Sequence, residues 1–169
     1  AAIAPDAAAM EELLGPGWEP APGVLVEDAS RPIGEQGPGV TPTLLEVLRT
    51  TRVQAAADLS WARTGGGPGL VTARLFRFED EAAAGAWWER QAGGLEPIEP
   101  PADPGADLPH AARSTPDGRI LAGRIGPWTL SVRSVGADVH RAVFAALWPR
   151  IADRAAAGDR ASEPAAGRR

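Results

Sequence analysis

Apolar residues change their period several times along the chain, and the clearest change falls between Leu70 and Gln91. From Leu70 to Phe78 the residues alternate, with Val71, Ala73 and Leu75 on one side and Thr72, Arg74, Phe76 and Phe78 on the other, which is the period of a β-strand. Ala84, Trp87, Trp88 and Gln91 then recur at helical spacing behind Asp80. The Asp80 carboxylate can cap a helix N-terminus, and Glu81 in the first turn suits the helix dipole. Gly93 and Gly94 are expected to end the helix in the left-handed conformation that glycine enters without strain. A strand therefore runs directly into an amphipathic helix that packs on the sheet.

Upstream, Asp6 to Leu14 makes a short helix with Met10, Leu13 and Leu14 as its apolar side. Val24-Leu25-Val26 belongs to an edge strand within Trp18 to Asp28, because Pro20 and Pro22 cannot donate to a central ladder. Residues 29–40 are a proline- and glycine-rich loop. Thr41-Pro42 starts a helix with Leu44, Leu45 and Leu48 inward. Val53, Ala55, Ala57, Leu59 and Trp61 then alternate with Gln54, Ala56, Asp58 and Ser60 in a half-buried strand. The glycine run 65–69 lacks a phosphate-loop lysine and joins two strands, so it reads as a hairpin turn.

Downstream, residues 95–109 form an acidic, proline-rich connection, and Glu96, Glu99, Asp103 and Asp107 do not have the spacing of a calcium loop. His110 to Thr115 and Arg119 to Ile125 make a hairpin about the turn Pro116-Asp117-Gly118. Trp128, Leu130 and Val132 mark another strand. Asp138 caps a last helix whose stripe of Val139, Val143 and Leu147 is widened by Phe144, Trp148 and Ile151, so that it packs on two sides. Pro149 is expected to kink or restart it, and the segment after Gly158 to form a loose tail.

Strand, turn, strand and helix thus follow one another from Val53 to Trp88 and again from Arg119 to Trp148. Two strand-strand-helix units plus N-terminal helical segments predict an α+β fold, an antiparallel sheet with the helices packed on one face. A single domain is expected over residues 1–158, its core at about 41–157 by this patterning, with a C-terminal tail at 159–169. The opposite sheet face is left to solvent, a partner or the N-terminal elements. Trp61, Arg74, Phe76 and Phe78 are the candidate binding residues on it. Aromatic rings beside a guanidinium can grip an anionic or aromatic ligand by stacking and charge-assisted hydrogen bonds, or serve protein partners and self-association. The plainer reading has Phe76 and Phe78 covered by the N-terminal helix and Arg74 solvated.

Composition narrows the chemistry. All 17 basic residues are arginine, and Lys, Asn, Tyr and Cys are absent, the bias of a GC-rich genome, which weakens the proline and glycine content as a sign of disorder. A formal charge of -5 with no basic run before the tail argues against nucleic-acid binding. No apolar run reaches the roughly 18 to 20 residues that cross a bilayer. Without cysteine there is no disulfide, thiol nucleophile or iron–sulfur cluster, and without lysine no Schiff base or phosphate-loop cation. No cofactor or metal is expected.

Serine chemistry is the residual catalytic option, drawing on Ser30, Ser60, Ser114, Ser131 or Ser134 with His110 or His140, although no serine lies in a Gly-x-Ser-x-Gly elbow. His140, in the first turn of the last helix and toward its apolar arc, reads as a hydrogen-bonded structural histidine, and His110 as exposed. Paired carboxylates stay open, since they can meet in space without fixed sequence spacing.

The run LVTARLFRFEDEAAAGAWW, followed beyond the proline-rich connection by GRIGPWTLSV and a last helix, resembles exported and lipoprotein-type proteins of actinobacteria over residues 53–150. The resemblance implies export or cell-envelope association and carries no catalytic positions. The opening AAIAPD fits a processed exported protein or a trimmed one, and the lipid-bearing cysteine of such lipoproteins is absent. The resulting expectation is a non-enzymatic binding or protein-interaction module, exported, with a small hydrolase using carboxylate or serine chemistry as the alternative.

Overall fold

A computed structural model describes residues 7–100 and 110–162. The expected cap Asp6, the carboxylates Asp103 and Asp107, and residues 163–169 of the expected tail lie outside the described residues. In chain order come α1 (Ala7–Leu14), β1 (Trp18–Val26), α2 (Pro42–Thr50), β2 (Val53–Arg63), β3 (Gly69–Phe78) and α3 (Glu81–Ala92). They are followed by β4 (Glu96–Ile98), β5 (His110–Ser114), β6 (Ile120–Ile125), β7 (Trp128–Val135) and α4 (His140–Ser162). The strands form one seven-stranded sheet of order β1-β2-β3-β7-β6-β5-β4, antiparallel at every pairing. The α+β class and the antiparallel sheet are as expected.

The helices, however, do not share a face. On β6, Leu121 and Ile125 join Val143, Phe144 and Leu147 of α4 in one buried cluster, and a Cβ on Gly123 would stand 2.2 Å from the Trp148 ring of that helix. The alternate residues of β6 meet α3 instead: Ala122 packs with Trp88, and the Arg124 guanidinium lies under Gly85. On β3, Val71, Ala73 and Leu75 pack on the α4 side, while Phe76 and Phe78 pack with Trp87 of α3 and with Leu45 and Leu48 of α2. So α2 and α3 cover one face and α4, with Met10 of α1, the other. The repeated linear order suggested two equivalent units. The side chains decide otherwise, since a strand with large apolar residues in both of its alternating sets must be covered twice.

Local signals account for most element boundaries. Thr41 caps α2 by accepting from the Leu44 amide at 3.2 Å, and Pro42 takes the first helical position. Asp80 caps α3 by accepting from the Ala83 amide at 2.7 Å. The helix stops at Ala92 as expected, but Gly93 keeps a right-handed φ of -60° and Gln91 is exposed. The left-handed region serves the β2–β3 turn instead, where Gly66 and Gly67 have φ of 75° and 98°. Pro149 does not break α4, which continues through Gly158 to Ser162. Pro149 and Ala145, four residues before it, are both exposed, so water can take the carbonyl the proline leaves without a donor. The proline-rich connection begins with the short edge strand β4, which its composition had concealed.

Gly123→Ala should cost about 2 kcal/mol, the scale of overpacking a filled interior, because its methyl would meet Trp148 and Phe144. Gly34→Ala, which enters open space, should stay within about 0.5 kcal/mol; urea melts of both variants check this. The Asp80 carboxyl is held below its usual 3.8, first by the Ala83 amide and then by Arg52. A depressed carboxyl pKa stabilises fully above the unfolded value and loses that contribution as pH falls through the folded one. Asp80→Ala should therefore lower stability at neutral pH and flatten its decline below about pH 4, the ordinary aspartate range, in melts run along a pH series.

Candidate functional site

Helices α2 and α3 leave half of their sheet face open. Beyond Phe76, Arg74 stands directly between Asp58 of β2 and Ser131 of β7, and the next cross-strand row is Ser60, Thr72 and Arg133. A third row, Ala62, Leu70 and Val135, closes the sheet end, with Leu70 38% and Val135 61% exposed. None of the polar residues in the first two rows is buried. Register alone brings them together: residues facing one another across antiparallel strands project from the same side.

The chemistry of this half-face is hydroxyl and guanidinium. Arg74 donates to Asp58 Oδ2 from Nη2 at 2.9 Å and from Nε at 3.3 Å. Ser60 and Thr72 share a hydroxyl contact of 3.2 Å. The Arg74 side chain is 55% exposed, and a surface pair of this kind contributes about 0 to 1 kcal/mol, so it can be exchanged for an incoming carboxylate. Arg133 has no hydrogen bond or ion pair among the described residues. The surface combines exposed donors with an apolar rim.

Of the sequence candidates, only Arg74 lies here in the open. Phe78 is 1% exposed, and Phe76 meets Trp87 edge-on at 5.4 Å between centroids, so the two phenyl rings belong to the packing under α2 and α3. Their cover is therefore not the N-terminal helix. Trp61 is 5% exposed on the opposite face, in the cluster that holds Met10 of α1. A bulge between Val53 and Ala55 explains the split: Val53 packs on the α2 side, and after the extra residue Ala57 and Trp61 pack on the other. Asp58, Ser60, Thr72, Ser131 and Arg133 escaped notice because each is an ordinary polar member of an alternating strand. The β2–β3 hairpin sets Asp58 and Ser60 opposite Arg74 and Thr72, and the pairing of β3 with β7 adds Ser131 and Arg133.

A serine and a histidine do meet at the end of β7. Ser134 on β7 and His140 opening α4 are buried, with Ser134 Oγ 2.9 Å from His140 Nδ1. His140 Nε2 faces the Gly118 carbonyl, which can only accept, so Nε2 carries a proton. Asp138 Oδ1 lies 3.3 Å from the same Nδ1. The imidazole thus ties the β5–β6 turn to the end of β7 and the start of α4, the structural role its sequence position suggested. In that turn the Asp117 carboxyl is held below its ordinary range, first by the Thr115 side chain and then by the Arg119 amide. Among the described residues no group of three histidines or carboxylates is placed to hold a metal ion, and no helix is long and apolar enough to cross a membrane.

His140→Ala should lower stability by about 2 kcal/mol, since it leaves a cavity and takes the partner from the buried Ser134 hydroxyl and the half-buried Gly118 carbonyl. Ser134→Ala should cost about 1 kcal/mol. Thermal and urea melts of both variants, against an exposed Arg150→Ala control, measure the difference.

No family model matches the chain, and no curated protein matches it. Among solved structures, it is similar to the extracellular domain of PknH from Mycobacterium tuberculosis, at 11% identity and a TM-score of 0.49 over 92% of this chain and 93% of that one.

Proposed function

We propose that the chain is a single-domain, exported, non-enzymatic interaction module that contacts a protein partner through the open half-face of its sheet. The observation that supports this reading is the two cross-strand rows of unburied polar side chains, Asp58-Arg74-Ser131 and Ser60-Thr72-Arg133, beside the exposed Leu70 and Val135. Two guanidiniums there stand out on a chain whose formal charge is -5, so a partner bearing carboxylates gains from both while the rest of the surface does not compete. The exposed Leu70 and Val135 add apolar contact area beside these donors.

A second reading, a serine hydrolase, rests on the 2.9 Å contact between Ser134 and His140. Their burial, at 8% and 4% exposure, and the commitment of Nε2 to Gly118 favour the structural role over attack on a substrate. Ester turnover abolished by Ser134→Ala in a folded protein would reverse that preference.

A photo-crosslinking residue at Thr72 should capture one defined partner in the native host, whereas the same residue at the exposed Ala145 of α4 should not. Arg74→Ala combined with Arg133→Ala should weaken the captured complex about tenfold, the usual scale for losing interface arginines, with an unchanged circular dichroism spectrum. Equal capture at Thr72 and Ala145, or unchanged affinity in the double variant, sinks the assignment to this face.

A further inference from the structure

We infer that the cleft where β7 outruns β6 is a further contact for the same protein partner, the seat of one carboxylate side chain from an acidic segment. The inference rests on the half-face reading, because it takes the ligand to be part of a protein that covers the open side of the sheet. Register places the cleft. Ile120 opposite Arg133 is the last β6–β7 pair, so Ser134 and Val135 pair with β3 and not with β6. The β5–β6 turn and the start of α4 wall the space beyond that pair, about 690 Å³ in volume. Arg133 and Val135 belong both to this lining and to the last two rows of the half-face, so the two surfaces are continuous.

Three guanidiniums line the cleft from three elements: Arg119 from the β5–β6 turn, Arg133 from β7 and Arg141 from the first turn of α4. All three residues are exposed. The Arg133 and Arg141 side chains make no hydrogen bond or ion pair among the described residues. The Arg119 guanidinium stands 3.7 Å from Asp117, with the two side chains 79% and 59% exposed. So exposed a pair contributes little and yields to a better acceptor.

The carboxylates of the lining, Asp117 and Asp138, do not match these three charges. Asp117 is engaged within its own turn, where it accepts from the Arg119 amide at 3.1 Å. Asp138 stands beside the His140 ring, 3.3 Å from Nδ1. One positive charge is left over with a neutral imidazole, on a chain whose formal charge is -5. That excess suits a single carboxylate, whose two oxygens match the planar fork of arginine. Val135, 61% exposed at the mouth of the cleft, offers contact to an apolar side chain next to the acidic one.

The test is a titration of the ¹⁵N-labelled protein with the blocked dipeptide acetyl-leucyl-glutamate amide at constant ionic strength, following the backbone amides of Gly118 and Gly136. Both should shift together and saturate with a dissociation constant on the order of 1 mM, the strength expected of so small a probe. The isosteric acetyl-leucyl-glutamine amide should bind at least tenfold more weakly. Arg119→Gln combined with Arg141→Gln changes two exposed positions and should leave the circular dichroism spectrum unchanged. That variant should weaken the glutamate peptide at least tenfold, and the complex captured through Thr72 by about as much. The cleft is overturned if the glutamate peptide moves neither amide, if the glutamine peptide or inorganic phosphate saturates equally well, or if the double variant binds as the parent does. A Thr72-captured complex indifferent to the double variant also overturns it and leaves the half-face reading standing. Absence of any capture at Thr72 removes that reading instead, while the peptide titration still decides whether the cleft takes a carboxylate.

Discussion

The structure depends on the antiparallel pairing of β3 with β7 at the centre of the sheet. β3 carries Val71, Ala73 and Leu75 on one side and Phe76 and Phe78 on the other, and β7 matches it with Leu130 and Val132 toward α4 and a buried Thr129 toward α3. Neither face of this pair tolerates water along its whole length. The chain answers by sending the helix after β3 over one face and the helix after β7 over the other. That single constraint explains why the two halves, alike in linear order, are not equivalent in space.

Unequal cover follows from the same pair. Helix α4 is long enough, with 23 residues, to run along its face, and Val143, Phe144, Leu147, Trp148 and Ile151 bury almost completely against the sheet and α1. Helix α3, with 12 residues, reaches only the end of its face that carries Phe76, Ala122 and Arg124. Where α3 stops covering, the strand residues turn from phenylalanine and alanine to serine, threonine, aspartate and arginine. The polar half-face is therefore continuous with the core in backbone terms and differs only in its side chains. A rigid sheet holding a row of exposed donors suits recognition better than a loop would, because its geometry is set before any partner arrives.

Arginine performs several distinct tasks in a chain without lysine. Arg52, at the positive φ of 60° between α2 and β2, clasps Glu79 and Asp80. Arg113 lies over the Trp88 ring at 5.3 Å and donates to the Ala92 carbonyl, pinning the end of α3 to β5. Arg124 reaches the Glu81 carbonyl beneath Gly85. Arg133, on the open half-face, has no hydrogen bond or ion pair among the described residues.

By itself the amino-acid sequence determined what neighbouring residues decide. Thr41-Pro42 and Asp80 start helices through contacts three residues away, Pro20 and Pro22 confine β1 to an edge, and the glycine run 65–69 turns a hairpin. His140 was also legible as a structural residue, because its place on the helix face already put it among apolar neighbours. Only the tertiary structure decided which face each helix covers, where Trp61 points once the bulge shifts the phase of β2, and that Arg74 and Arg133 share a surface. The physical reason is range. Capping, turn geometry and periodicity act over a few residues, whereas the face a helix chooses and the partner a strand pairs with depend on the total apolar area buried by elements more than fifty residues apart, as β3 and β7 are.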